Sequence, residues 1–143
     1  MMTNRREFIK KSCTGCIALT GWSTIAAFLY SCSPLPIYKT DLVDNKFIIP
    51  ISTFKEGEKM KILQAKKLSY DVLLVKESNV KYHALEMKCT HQDTNLIANS
   101  KGLSCNLHGS TFNLNGKVTN GPAIRPLLRY AITLTETDII VQL

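Results

Sequence analysis

The chain is 143 residues long, 45% apolar and 20% charged, which allows one packed domain and an extension but not two domains. Its net charge of +7 falls to +4 beyond Ser31, because Arg5, Arg6, Lys10 and Lys11 against Glu7 hold the difference. What remains is spread as single lysines without a basic stripe interleaved with aromatics, so nucleic-acid binding is not indicated.

The first element in chain order is a targeting segment. Arg5-Arg6-Glu7-Phe8-Ile9-Lys10 resembles the twin-arginine export motif R-R-x-F-[LI]-K, and Ser12 to Tyr38 then carries no charge. The apolar stretch Cys16 to Tyr30 runs into Leu29-Tyr30-Ser31-Cys32, which resembles a lipobox, where the chain is cut before Cys32 and that thiol is lipidated. A lipid with more than one acyl chain anchors stably, since each buried methylene contributes about 0.8 kcal/mol. The other reading is an uncleaved N-terminal helix, because about 20 uncharged residues just span a bilayer. Either way residues 1–31 are a twin-arginine signal or membrane anchor and 32–45 a polar, Pro-containing linker. The domain that follows is then held at the outer, periplasmic face of a bacterial inner membrane.

Residues 46–143 read as strands. Phe47-Ile48-Ile49-Pro50-Ile51 opens the domain at a sheet edge, since proline cannot donate to a ladder. Tyr70 to Val75 and Val80 to Met87 form a hairpin around Glu77-Ser78-Asn79, and Tyr130 to Thr135 pairs with Ile139 to Leu143 around Glu136-Thr137-Asp138. No helical periodicity longer than a turn or two follows the export segment. The expected fold is all-β: a small antiparallel sandwich or barrel, with Met87 to about Pro122 inserted between its strands. His83 lies in an alternating stretch and is expected to be a surface strand residue.

The insertion holds two Cys/His couples, Cys89-Thr-His91 and Cys105-Asn-Leu-His108, separated by thirteen residues. Two soft thiolates and two imidazoles suit a [2Fe-2S] cluster in which one iron takes both sulfurs and the other both nitrogens. The same four donors can hold a tetrahedral zinc ion. Zinc modules, however, put paired cysteines in one knuckle and paired histidines in another, whereas here each loop supplies one of each.

The residues around these couples carry a family resemblance. CTHQDT (Cys89 to Thr94), CNLHGS (Cys105 to Ser110) and the later GPA (Gly121 to Ala123) resemble the cluster loops and the Gly-Pro loop of the Rieske [2Fe-2S] family, over roughly residues 45 to 143. The resemblance implies that Cys89 and Cys105 hold the ferric iron, that His91 and His108 hold the iron that is reduced, and that Ser110 bonds a bridging sulfide. It also implies partly exposed histidines at the domain tip. Two departures are visible: Thr94 and Leu107 stand where high-potential members carry a clamping disulfide, and Phe112 stands where a tyrosine often bonds a ligand sulfur. The length leaves no room for the second, mononuclear-iron domain of a Rieske-type oxygenase.

The cysteines then divide without remainder: Cys13 and Cys16 in the export segment, Cys32 as lipid acceptor, Cys89 and Cys105 as ligands. The expected function is that of a membrane-tethered electron-transfer protein, a subunit or partner of a respiratory or other oxidoreductase complex containing a cytochrome or similar redox protein. The alternatives are a soluble Rieske ferredoxin feeding an oxygenase and a zinc-stabilised binding module without a redox role.

Overall fold

The computed structural model describes residues 34–143; the export segment, the lipobox and Cys32 lie outside the described residues. Among the described residues eleven strands form two sheets. Seven of them make the larger sheet, in the order β1 (Ile37–Lys39), β3 (Met60–Gln64), β4 (Val72–Ser78), β5 (Lys81–Glu86), β10 (Arg129–Leu134), β11 (Asp138–Gln142), β2 (Lys46–Pro50). The smaller sheet, β6 (Ile97–Asn99), β7 (Gly102–Ser104), β8 (Thr111–Asn113) and β9 (Val118–Asn120), is inserted between β5 and β10. All pairings are antiparallel except β1 with β3. Among the described residues the only helical element is one 3-10 turn, Ile51–Thr53, and no helix is long and apolar enough to cross a membrane. The all-β expectation holds.

The unbroken apolar run Val72-Leu73-Leu74-Val75 explains how one sheet serves two cores. Successive strand side chains point to opposite faces. Val72 and Leu74 pack with Phe47, Ile49, Leu63, Ala84, Ile139 and Val141. Leu73 and Val75 pack with Leu85, Met87, Leu103, Phe112 and Leu127, between the larger sheet and the insertion. Because β2 and β3 lie near opposite ends of the sheet order yet share the first core, the sheet must curl upon itself. Each fully buried Leu here contributes about 1.5–3 kcal/mol.

Pro50 closes the edge strand β2, as its missing donor demands. Three other features differ from expectation. The stretch read as linker, 32–45, is partly sheet: Ile37–Lys39 runs parallel to Ile62–Gln64, a pairing three residues long and too short to show in sequence. Strand β3 was hidden by Lys61, which is nonetheless buried. Its ammonium meets Glu58 Oε1 at 2.8 Å and the Thr53 carbonyl at 3.2 Å, and lies 5.1 Å from the centroid of the Phe54 ring.

His83 is the third, and here the surface assignment is corrected: only 7% of the residue is exposed. Its Nδ1 lies 2.8 Å from Glu77 Oε1 and its Nε2 2.7 Å from the carbonyl oxygen of Leu114 in the insertion. Alternation placed it correctly on one face of β5, but that face is covered by Leu114, 31 residues further along. The insertion itself runs on past Pro122, returning to the sheet at Arg129.

Candidate metal centre

Both ligand loops close by the same bond. The Cys89 N–H donates to the Thr94 carbonyl at 2.8 Å, and the Cys105 N–H to the Ser110 carbonyl at 2.8 Å, so C-T-H-Q-D-T and C-N-L-H-G-S form equivalent six-residue turns. In the second, the Gly109 N–H also donates to the Cys105 carbonyl at 3.0 Å, with Gly109 at φ +78°, a conformation that favours glycine. The first loop is seated on Met87, whose carbonyl accepts the Leu96 N–H at 2.9 Å.

These turns sort the donors by solvent. Cys89 and Cys105 are buried, at 1% and 4% exposure, while His91 and His108 are exposed, with ring centroids 5.0 Å apart and planes at 86°. Ser110, fully buried, accepts the Ala123 N–H at 3.0 Å, which brings the Gly121-Pro122-Ala123 loop against the second ligand loop. Burial pushes the Cys89 thiol up, but hydrogen bonds from the His91 and Gln92 backbone N–H groups, and from the Cys105 and Ser110 side chains, outweigh it. Its pKa therefore lies below the usual thiol value, which favours the thiolate that metal binding needs. Among the described residues no three His, Cys, Asp or Glu side chains gather into a site for one metal ion. The four candidate donors divide into a buried sulfur pair and an exposed nitrogen pair, a division that suits a centre in which one iron takes both sulfurs and the other both nitrogens.

With threonine at position 94 and an exposed leucine at 107, no disulfide joins the loops; hydrogen bonds do. The Thr90 hydroxyl donates to the Arg125 carbonyl at 2.7 Å, and the Arg125 guanidinium reaches back to the Thr90 carbonyl at a long 3.5 Å. Asn120 Nδ2 donates to the carbonyls of Gly109 and Gly121, each at 3.1 Å. On the outer side of the first loop, the Tyr70 hydroxyl donates to the Asp93 carbonyl at 2.8 Å. Lys88, 3.1 Å from Asp93 Oδ1, lies 5.2 Å from the Tyr70 ring centroid. Sequence reading missed these supports; the Tyr70–Asp93 and Thr90–Arg125 bonds join partners 23 and 35 residues apart with no motif to link them.

Comparison with known proteins bears on this geometry. The plasma-membrane Rieske protein PetC3 of the cyanobacterium Synechocystis PCC 6803 is 29% identical, with a TM-score of 0.49 over 57% of this chain and 86% of that one. A chain from the complex of reduced oxygenase and oxidized ferredoxin in carbazole 1,9a-dioxygenase is 17% identical, with a TM-score of 0.51 over 70% of this chain and 94% of that one, and shares the fold. The ferredoxin of carbazole 1,9a-dioxygenase from Nocardioides aromaticivorans IC177 is 20% identical, with a TM-score of 0.47 over 66% and 93%. No curated protein matches the chain in sequence. The family model of the Rieske [2Fe-2S] domain matches residues 45–133, which takes in both Cys/His loops and the Gly-Pro-Ala loop. The chain belongs to the Rieske [2Fe-2S] domain family: it is an electron-transfer iron–sulfur protein whose cofactor is a [2Fe-2S] cluster.

Proposed function

We propose that this protein is a membrane-tethered carrier of single electrons, with Cys89 and Cys105 as sulfur ligands and His91 and His108 as nitrogen ligands of its cluster. The observation that carries the reading is the sorting of donors, buried thiols inside and two adjacent imidazoles at the surface. When bound, the cluster supplies a one-electron couple. The chain does the rest: the packed cysteines keep water from the sulfur side, and the exposed imidazole edges give a partner close approach. Ser110 and the Gly-Pro-Ala loop hold the second ligand turn in register.

Residues 46–143 form the redox domain and residues 1–31 its export signal or anchor, with Cys32 as lipid acceptor in the first case. Arg5-Arg6 supports this, because a protein that acquires its cluster in the cytoplasm must cross the membrane folded, and twin-arginine export carries folded cargo. The domain then works at the outer face of a bacterial inner membrane with a cytochrome or oxidoreductase complex.

Aerobically purified protein should contain two irons and two sulfides and, once reduced, give an EPR signal of low average g value, lost in Cys89→Ser and His108→Ala. Stoichiometric zinc without sulfide, from cells given adequate iron, would sink the ligand assignment. Changing Arg5 and Arg6 to lysine should leave a cluster-bearing precursor in the cytoplasm; normal export of that variant would refute the targeting reading.

A further inference from the structure

The tip of the insertion carries no formal charge across His91 and Gln92, Asn106 to Gly109 and Gly121 to Ile124. Its exposed groups are imidazoles, amides and apolar side chains, among them Ile124 at 90% exposure. Charge begins beside the first ligand loop. There a groove of about 590 Å³ is lined by Glu86, Lys88, Cys89, Asp93, Arg125 and Arg129, with a net charge of +1. Two of the charges are already matched: Lys88 meets Asp93 at 3.1 Å. Glu86 accepts the Tyr130 hydroxyl at 3.1 Å, and burial first, then that carboxylate, pushes Tyr130 up to about 12, so it remains a donor. Among the described residues neither Arg125 nor Arg129 forms an ion pair.

We propose that this groove docks an acidic segment of the protein's redox partner, with partner carboxylates on Arg125 and Arg129 and apolar partner surface on Ile124. The proposal rests on the electron-carrier reading and adds the chemistry of the partner. A guanidinium fork matches a carboxylate bidentately. In a concave wall its field is focused more than on open surface. Charged pairs set encounter rate and register, while apolar contact supplies affinity.

The position of Cys89 in the lining adds a direction to the exchange. Carboxylates seated there put negative charge beside a cluster ligand and oppose uptake of an electron. By linkage the segment binds the oxidised protein more tightly than the reduced one. The groove therefore suits an electron donor: it docks on the oxidised protein, passes one electron from its own reduced centre, and is released as the acceptor becomes more negative, with no bond made or broken.

The test uses the oxidised, cluster-bearing full chain in detergent at low salt, with a fluorescent octaglutamate peptide read by anisotropy. Arg125→Gln with Arg129→Gln should weaken binding at least tenfold, and Arg129→Gln alone should weaken it measurably. Lys66→Gln with Lys67→Gln, the same charge change at exposed residues of the β3–β4 turn, should change it less than twofold. Octaglutamate should also lower the midpoint potential of the parent and not of the double arginine variant. Equal losses in both double variants would reduce the effect to net charge and overturn the proposal. Free glutamate binding as tightly as the peptide would make the groove a small-carboxylate site and overturn it too. EPR of the same samples after reduction with dithionite separates the failures: an intact cluster signal confines the failure to the groove, and an absent one overturns the electron-carrier reading beneath it.

Discussion

Ser110 joins two roles in one hydroxyl. It accepts the buried Ala123 N–H and lies within hydrogen-bonding reach of the Cys89 sulfur. A donor aimed at sulfur is worth more when the centre holds an extra electron, so it raises the potential. If the difference between redox states is comparable to one net hydrogen bond, about 0.5–1.5 kcal/mol, a one-electron couple converts it to about 20–65 mV. Ser110→Ala should lower the potential by that amount and cost about 1–3 kcal/mol of stability, because the Ala123 N–H loses its acceptor. Phe112, 1% exposed in the core that also holds both cysteines, offers no hydroxyl; Phe112→Tyr should shift the potential upward. Film voltammetry of the three proteins at one pH decides it, and shifts of the reverse sign with an intact EPR signal would refute the hydrogen-bond role.

At the scale of elements, the loops and turns are tied by single side chains whose loss can be measured. Thr90→Ala removes the hydroxyl that joins the first ligand loop to the Gly-Pro loop. It should cost about 0.5–1.5 kcal/mol and quicken chelator-driven bleaching of the cluster, whereas Thr90→Ser should behave as the parent. The turn before β3 carries a pH dependence. Burial raises the Glu58 pKa, but the Lys61 ammonium and the Lys55 backbone N–H more than offset it, leaving the group below its ordinary 4.5. A depressed folded value means stability that is complete above the unfolded pKa and lost as pH falls through the folded one. Glu58→Gln should flatten the urea-unfolding midpoint against pH below about 4.5. Glu58→Ala leaves the Lys61 ammonium, 6% exposed, without a carboxylate and should cost about 3 kcal/mol.

The same elements show what a sequence can and cannot reveal. The Rieske [2Fe-2S] family was legible in Cys89-Thr-His91 and Cys105-Asn-Leu-His108 because the signal resides in residue type and local spacing. Val72 to Val75 was legible as a strand because four successive apolar residues need burial on both faces. Lys61 concealed β3, since the carboxylate that neutralises it sits in a turn with no strand pattern. Gly102 gave no signal at all, although a Cβ there would come within 2.2 Å of the Phe112 carbonyl oxygen, so only glycine lets β7 pair with β8. His83 was misjudged because alternation fixes a face and says nothing of what covers it.

Over the whole molecule, β4 divides two cores, and neighbouring residues of that strand report on each. Leu73 and Leu74 are both fully buried, Leu73 beneath the insertion and Leu74 inside the curled sheet. Each change to alanine should cost about 2–5 kcal/mol. Only Leu73→Ala should also hasten cluster loss, since it loosens the seat of the ligand loops; equal bleaching rates in the two variants would show the cores to be mechanically joined.

The root of the insertion is narrow: Leu85 pairs with Arg129, and the Glu86 N–H donates to the Leu128 carbonyl at 3.0 Å. Chain leaves and re-enters the larger sheet at adjacent points, like a lariat drawn tight, so the host sheet does not need residues 87–128 for its own connectivity. It needs them as a lid. Excised and replaced by a tight turn, they would leave Met60, Leu73, Val75 and Leu85 bare on one sheet face, an apolar patch of the kind that aggregates. Solubility and readiness of the metal site thus become one property. A molecule whose ligand loops have slackened displays a sticky face to chaperones and proteases, and a molecule with a well-seated lid passes inspection.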